Sequence, residues 1–217
     1  MEPITVWMTP SGPNAWRVVI VIRGLPYKIN SFKFEKVKKP PFININPMNK
    51  FQVGGCAIED PNTQITLWES GAIIQYLIEQ YDKDHKLSYG TLRERQFCNQ
   101  WLHFQMSGQG PYYGQCACPP PRERTLAIER YTEEIHRILG VLNRVLEGKT
   151  WLVGDALGQY PNVLAWHTRM RTLDTWADCE AERARIMGEQ GLDINGLPKG
   201  VNNMEEFQKL MAEGELK

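Results

Sequence analysis

The spacing of apolar residues changes once along this chain of 217 residues, near residue 82, and the change limits what it can fold into. Before that point strand and helix periods alternate. Ile4, Val6 and Met8 alternate with Thr5 and Trp7, which predicts a half-buried strand. Ser11-Gly12-Pro13-Asn14 breaks it, and Trp16, Val19, Ile20 and Ile22 form a helical stripe that Gly24 stops. Tyr27 to Phe34 reads as a second strand, and Lys38 to Phe42 as a short helix or turn. Ala57-Ile58 and Ile65-Thr66-Leu67 read as a hairpin around Asp60-Pro61-Asn62-Thr63, followed by a helix over Glu69–Tyr81. Asp82-Lys83-Asp84-His85-Lys86 is a polar linker. Beyond it only helical spacing remains: Phe97, Trp101 and Phe104, then Ile128, Tyr131, Ile135, Ile138, Leu142 and Leu146.

The β-α-β-α-β-β-α order in the first eighty residues is a thioredoxin-like arrangement. The expected architecture is therefore α/β plus all-α: a thioredoxin-like domain over 1–82 and a helical domain over 92–217. Composition narrows the function. With 25 basic and 25 acidic residues the formal charge is zero, so no field favours nucleic acid or an anionic membrane as a partner. No apolar run reaches membrane-spanning length and Met1-Glu2-Pro3 opens no signal peptide, so the expectation is a cytoplasmic protein. Cys56, Cys98, Cys116, Cys118 and Cys179 are odd in number and scattered, which suits reduced thiols. Cys116-Ala-Cys118 lacks a second ligand pair at zinc spacing, so no metal is expected.

The densest chemistry lies in Thr66-Leu67-Trp68-Glu69-Ser70-Gly71. A strand that runs straight into a helix leaves the first-turn N–H groups unpaired and partly positive, a place for a carboxylate. Glu69 offers an acceptor for an ammonium in the same place, and the Ser70 hydroxyl offers a donor. Ammonium beside carboxylate is the α-amino-acid end of a γ-glutamyl group. The plainer alternative is a Ser and Glu that serve only to cap the helix.

Several stretches, taken together, resemble the cytosolic glutathione transferases, and most of all the fungal branch related to the yeast nitrogen-catabolite repressor. They are Ser11-Gly12-Pro13-Asn14-Ala15-Trp16-Arg17-Val18, Gly24-Leu25-Pro26-Tyr27, Ile45-Asn46-Pro47, Leu67-Trp68-Glu69-Ser70-Gly71-Ala72-Ile73, Tyr81 to Leu87, Gln105-Met106-Ser107-Gly108-Gln109-Gly110-Pro111-Tyr112, and Trp151-Leu152-Val153-Gly154-Asp155. The resemblance implies glutathione as co-substrate. It implies that Glu69 and Ser70 hold the γ-glutamyl end and that Asn14 stands beside the sulfur, where an amide N–H and a helix start favour the thiolate. Ser11 competes with Asn14 for that role. Lys38 or Lys39 is a candidate for the glycine carboxylate, and Ala57 is a candidate on the third strand. Ser107, Tyr112 and Tyr113 are the candidate lining of a pocket for an electrophilic small molecule, facing Ser11–Asn14. A two-fold homodimer is implied as well.

Two departures stand out. Relatives carry a cis-proline just before the third strand; this chain has Cys56 there, after the longer segment Asn49-Lys50-Phe51-Gln52-Val53-Gly54-Gly55. A cis bond before a non-proline residue costs about 2.5–4 kcal/mol, so a trans, rerouted loop is expected. Cys56 is either a reactive thiol or a small buried filler. After Gly154-Asp155 the chain passes almost directly to Tyr160–Met170, and one central helix with its capping box is expected to be missing.

The implied activity is addition of glutathione to an electrophile, or a reversible addition that isomerises a double bond, on a substrate such as a polyketide-type secondary metabolite. The opposing possibility is a non-catalytic binding or regulatory protein on the same scaffold.

Overall fold

The fold was analysed in a computed structural model that describes residues 1–33, 36–47, 55–117, 124–149, 152–153 and 170–213. Contacts divide it into two compact units, Met1–Leu77 with Thr175–Lys217, and Ile78–Asp174.

In the first unit the elements are β1 (Ile4–Met8), α1 (Pro13–Ile22), β2 (Tyr27–Ser31), α2 (Phe42–Ile45), β3 (Cys56–Asp60), β4 (Ile65–Trp68) and α3 (Ser70–Tyr81, whose last turn runs into the second unit). The sheet order is β2-β1-β3-β4. β1 pairs parallel with β2 and antiparallel with β3, and β3 pairs antiparallel with β4. This is the thioredoxin-like arrangement that the alternating periods predict. Ile4, Val6 and Met8 are fully buried, as are Val18, Val19 and Ile22 of α1 and Ile58 of β3. The period-2 and period-3.6 stripes thus meet in one core.

Two boundaries differ from the sequence reading. β2 ends at Ser31 rather than running toward Phe34, because its partner β1 stops at Met8, whose carbonyl takes a last bond from the Phe32 N–H at 3.1 Å; the Phe32 ring packs tilted against Phe42 with centroids 4.5 Å apart. α2 starts at Phe42, directly after Pro40-Pro41, where a residue without an N–H loses nothing. Val37, Phe42 and Ala57 close a second cluster here, against Trp7, Phe32, Ile45 and Trp68. Among the described residues the cis bond is Pro40–Pro41, so the bond before Cys56 is trans as expected. The altered loop itself falls on 48–54, and the place of the missing helix on 154–169; both lie outside the described residues.

The first unit is completed by α7 (Asp174–Glu189) and α8 (Met204–Glu213). Arg23 reaches Asp178 at 3.3 Å and Glu182 at 3.7 Å, the Tyr27 hydroxyl donates to Glu182 at 3.0 Å, and Gln190 Nε2 donates to Ser31 at 3.1 Å. Between these helices the chain folds on itself. Leu192 bridges Pro198, and Gly191, Gly196 and Gly200 all adopt positive φ.

In the second unit α4 (Leu92–Phe104) runs through a π-helical turn, Gln105–Gln109, into α5 (Gly110–Ala117), and α6 follows (Arg124–Leu146). Pro111 has no N–H to give the Ser107 carbonyl, and the Gly110 N–H bonds Gln105 O instead, which widens the turn. Asp82, in the polar linker, accepts from the Lys86 and Leu87 N–H groups and from the Ser88 hydroxyl.

Candidate functional site

Helix α1 begins with Gly12 at the cap in extended conformation (φ −82°, ψ 136°), with no side chain capping it and Pro13 in its first turn. Asn14 follows, and Arg17 lies three residues on, which puts both on one face. The Arg17 Nη2 group donates to Asn14 Oδ1, and also to Ser70 Oγ at 2.9 Å. A guanidinium can only donate, so the Asn14 atom it meets is the oxygen, and the amide turns its NH2 the other way. One arginine therefore joins the start of α1 to the start of α3.

At α3, β4 passes into the helix through Glu69, whose φ of 71° is unusual for a residue with a side chain. Such backbone costs of order 1–3 kcal/mol and collects at functional sites. The Glu69 carbonyl accepts from Ile73 N at 2.9 Å and so starts the helix, while its side chain stays exposed. Ser70 beside it is buried. The strain thus separates two neighbours, turning a carboxylate outward and a hydroxyl inward.

Burial lowers the Arg17 pKa, and Cys56 and Glu69 nearby raise it back in part. An arginine in such a place still keeps its charge. Cys56, at the start of β3, is buried, and that burial pushes its thiol up to about 12, with Arg17 pulling down and Glu69 pushing up. It is a neutral, packed thiol at neutral pH, which favours the filler over the reactive nucleophile.

Ser11 has other company. A Cβ added to Gly196 would sit 2.8 Å from the Ser11 Cβ, so the loop after α7 lies directly against it. Ala57 is fully buried in β3, in register between Trp7 and Trp68. Lys38 is exposed in the turn before α2. Ser107 is exposed in the π turn, Tyr113 is exposed in α5, and Tyr112 is half-buried with its ring 6.2 Å from Tyr131. These last three belong to the second unit. Asn14, Glu69 and Ser70 come together around Arg17, with Cys56 close by. Arg17 is the residue that sequence reasoning missed. A charge inside an apolar helical stripe reads as solvated face, and the available signal was its three-residue spacing from Asn14.

The chain is 39% identical over 211 residues to the glutathione S-transferase-like protein gedE of Aspergillus terreus, covering 90% of this chain and 86% of that protein. It belongs to the glutathione S-transferase family. Its relatives include the fungal Ure2 branch: protein URE2 of Debaryomyces hansenii is 34% identical over 159 residues, covering 67% of this chain and 49% of that one. The fold agrees. The glutathione transferase URE2P6 of Phanerochaete chrysosporium, crystallised with oxidized glutathione, superposes with a TM-score of 0.74 and is 37% identical, covering 84% of this chain and 97% of that chain. No protein-family model matches the chain. Among the described residues no helix is long and apolar enough to cross a membrane, and no group of three or more His, Cys, Asp or Glu could hold a metal ion.

Proposed function

We propose that this glutathione S-transferase binds glutathione at the joined starts of α1 and α3 and uses it on an electrophilic small molecule. The observation that carries the reading is the Asn14–Arg17–Ser70 chain of hydrogen bonds beside the strained Glu69. Glu69 is assigned the α-ammonium of the γ-glutamyl group. The Ser70 hydroxyl and the first-turn N–H groups of α3 are assigned its carboxylate. Asn14 turns its NH2 away from Arg17 and is assigned the sulfur. Ser11, which packs against Gly196, is the weaker candidate. Ala57 and Lys38 remain proposed contacts for the rest of the tripeptide. In this reading residues 1–82 carry glutathione and the helical part 92–217 carries the acceptor.

Glutathione supplies a thiol that becomes the nucleophile once its proton has gone to solvent. The protein's part is to stabilise the resulting negative charge, with the Asn14 amide and the positive start of α1 as donors. Attack on a conjugated alkene forms a C–S bond, and a proton then reaches the neighbouring carbon; departure of the thiolate before that step returns the alkene with its geometry changed. Ser107, Tyr112 and Tyr113 are the proposed acceptor-side residues. The π turn at Ser107 supports this, since such turns recur at functional sites. A secondary metabolite of polyketide type is the proposed acceptor class. A homodimer in the cytoplasm is proposed with it.

The test is calorimetry of the wild-type protein with glutathione, followed by turnover of chlorodinitrobenzene. Saturable heat in the millimolar range or below, with turnover, is the expected result. Heat without turnover for any electrophile would favour a binding protein. The absence of both would overturn the reading.

A further inference from the structure

The proposed glutathione site has two ends, the γ-glutamyl end at Glu69–Ser70 and the sulfur end at Asn14, and they lie on helices far apart in sequence. What joins them is Arg17. Its Nη2 group donates to Asn14 Oδ1 and to Ser70 Oγ at 2.9 Å, and its charge lies near Glu69 and Cys56. We infer that Arg17 is a positioning residue that fixes the Asn14 amide and the Ser70 hydroxyl relative to each other and adds a fixed positive charge beside the thiol of bound glutathione. The inference rests on the function proposed above and deepens it.

Two physical consequences follow. With its oxygen held by a donor-only group, the Asn14 side chain cannot flip its amide without setting an NH2 against a guanidinium. The donor end then faces the sulfur before glutathione arrives, so no reorganisation is left for the moment of reaction. Second, a positive charge near a thiol favours the thiolate. Among the described residues, the charged groups that act on Arg17 are Glu69 before α3 and, if it ionised, Cys56 on β3, which burial keeps neutral. Glu69 is the acid of the γ-glutamyl subsite.

Lysine cannot replace this residue in full. A lysine keeps the charge but is a point donor, without the planar fork that spans two acceptors. Methionine keeps the length and loses both.

The experiment compares wild type, Arg17→Lys and Arg17→Met. Glutathione Kd comes from calorimetry. The pKa of the bound thiol comes from thiolate ultraviolet absorbance, titrated with pH and referenced to the S-methylglutathione complex, which has no thiol. Arg17→Met should raise Kd by about tenfold and raise the bound thiol's pKa by about one unit. Arg17→Lys should keep the wild-type pKa to within a few tenths while still losing affinity. Thermal midpoints show whether each variant is folded, and if Arg17→Met does not fold, Arg17→Gln takes its place. A folded charge-free variant with the wild-type pKa overturns the inference, even if it is less stable, because a purely structural arginine would behave that way. Wild-type protein that takes up no glutathione overturns the underlying reading, and the inference falls with it.

Discussion

Helices α1 and α4 start in opposite ways. At α4 the cap is complete: Thr91 Oγ1 accepts from the Glu94 N–H at 3.3 Å and meets the Glu94 carboxylate at 2.6 Å, and Arg95 donates to the Gly90 carbonyl at 2.6 Å. The Thr91 side chain caps the helix and is itself held by Glu94, so this end serves the helix itself. At α1 the cap is Gly12, with no side chain bonding back, and the polar residue of the first turn is held by an arginine that also holds the start of α3. A finished end marks scaffold. An end left to a shared arginine, beside a strained Glu69, marks the proposed site.

That contrast can be broken by mutation. The largest effect belongs to Glu69→Ala combined with Ser70→Ala. Each removed charge-assisted bond is worth about 1.5–3 kcal/mol, so together they should weaken glutathione by more than about a hundredfold in calorimetry. Retained affinity would return both residues to helix capping. Next comes Asn14→Ala, which should cut turnover by about ten- to a hundredfold while moving KM little. Full turnover there, with a large loss for Ser11→Ala, would move the sulfur contact to Ser11.

Gly196→Ala acts on the wall beside Ser11. The new methyl meets Ser11 at 2.8 Å and the φ of 82° disfavours a side chain, so urea unfolding should show a loss of about 1–3 kcal/mol. An unchanged midpoint would mean that the loop is not seated there. Smallest is Thr91→Ala at α4, which should cost about 1 kcal/mol in the same measurement and leave glutathione affinity untouched. A change in affinity would erase the difference between the two helix starts.

A pH test reads the interior of the same region. Cys56 is raised in the folded protein to about 12, while an unfolded thiol titrates near 8.5. Its contribution to stability is complete below pH 8.5 and declines as pH rises from there toward 12, since the unfolded chain gives up its proton first. Cys56→Ala should flatten stability against pH between 8.5 and 10, where denaturant titration is still practical. An equal alkaline slope in both proteins would mean that the thiol is not held neutral.

Much of the fold was legible because the two periods are strong signals. Ile4, Val6 and Met8 could only be a strand with one face inward, and Ile73, Ile74 and Leu77 could only be a helix. The boundaries were less so. β2 stops where its partner β1 ends at Met8, a limit set by strand pairing that local pattern does not contain. In the site, Glu69 and Ser70 were legible because a strand-to-helix junction has its own electrostatics. Arg17 was not, since its meaning depends on Ser70, brought near by the fold. Ser11 was ambiguous from sequence for a similar reason: Gly196, which now packs against it, lies at the far end of the chain.

A crystal structure of the protein with glutathione tests the central claim most directly. The account predicts the α-ammonium within hydrogen-bond distance of the Glu69 carboxylate, the adjoining carboxylate on Ser70 and the first N–H groups of α3, and the sulfur facing the NH2 of Asn14 while Arg17 keeps both of its bonds. Glutathione bound away from Glu69 and Ser70, or with its sulfur turned from Asn14 toward Ser11, would contradict it.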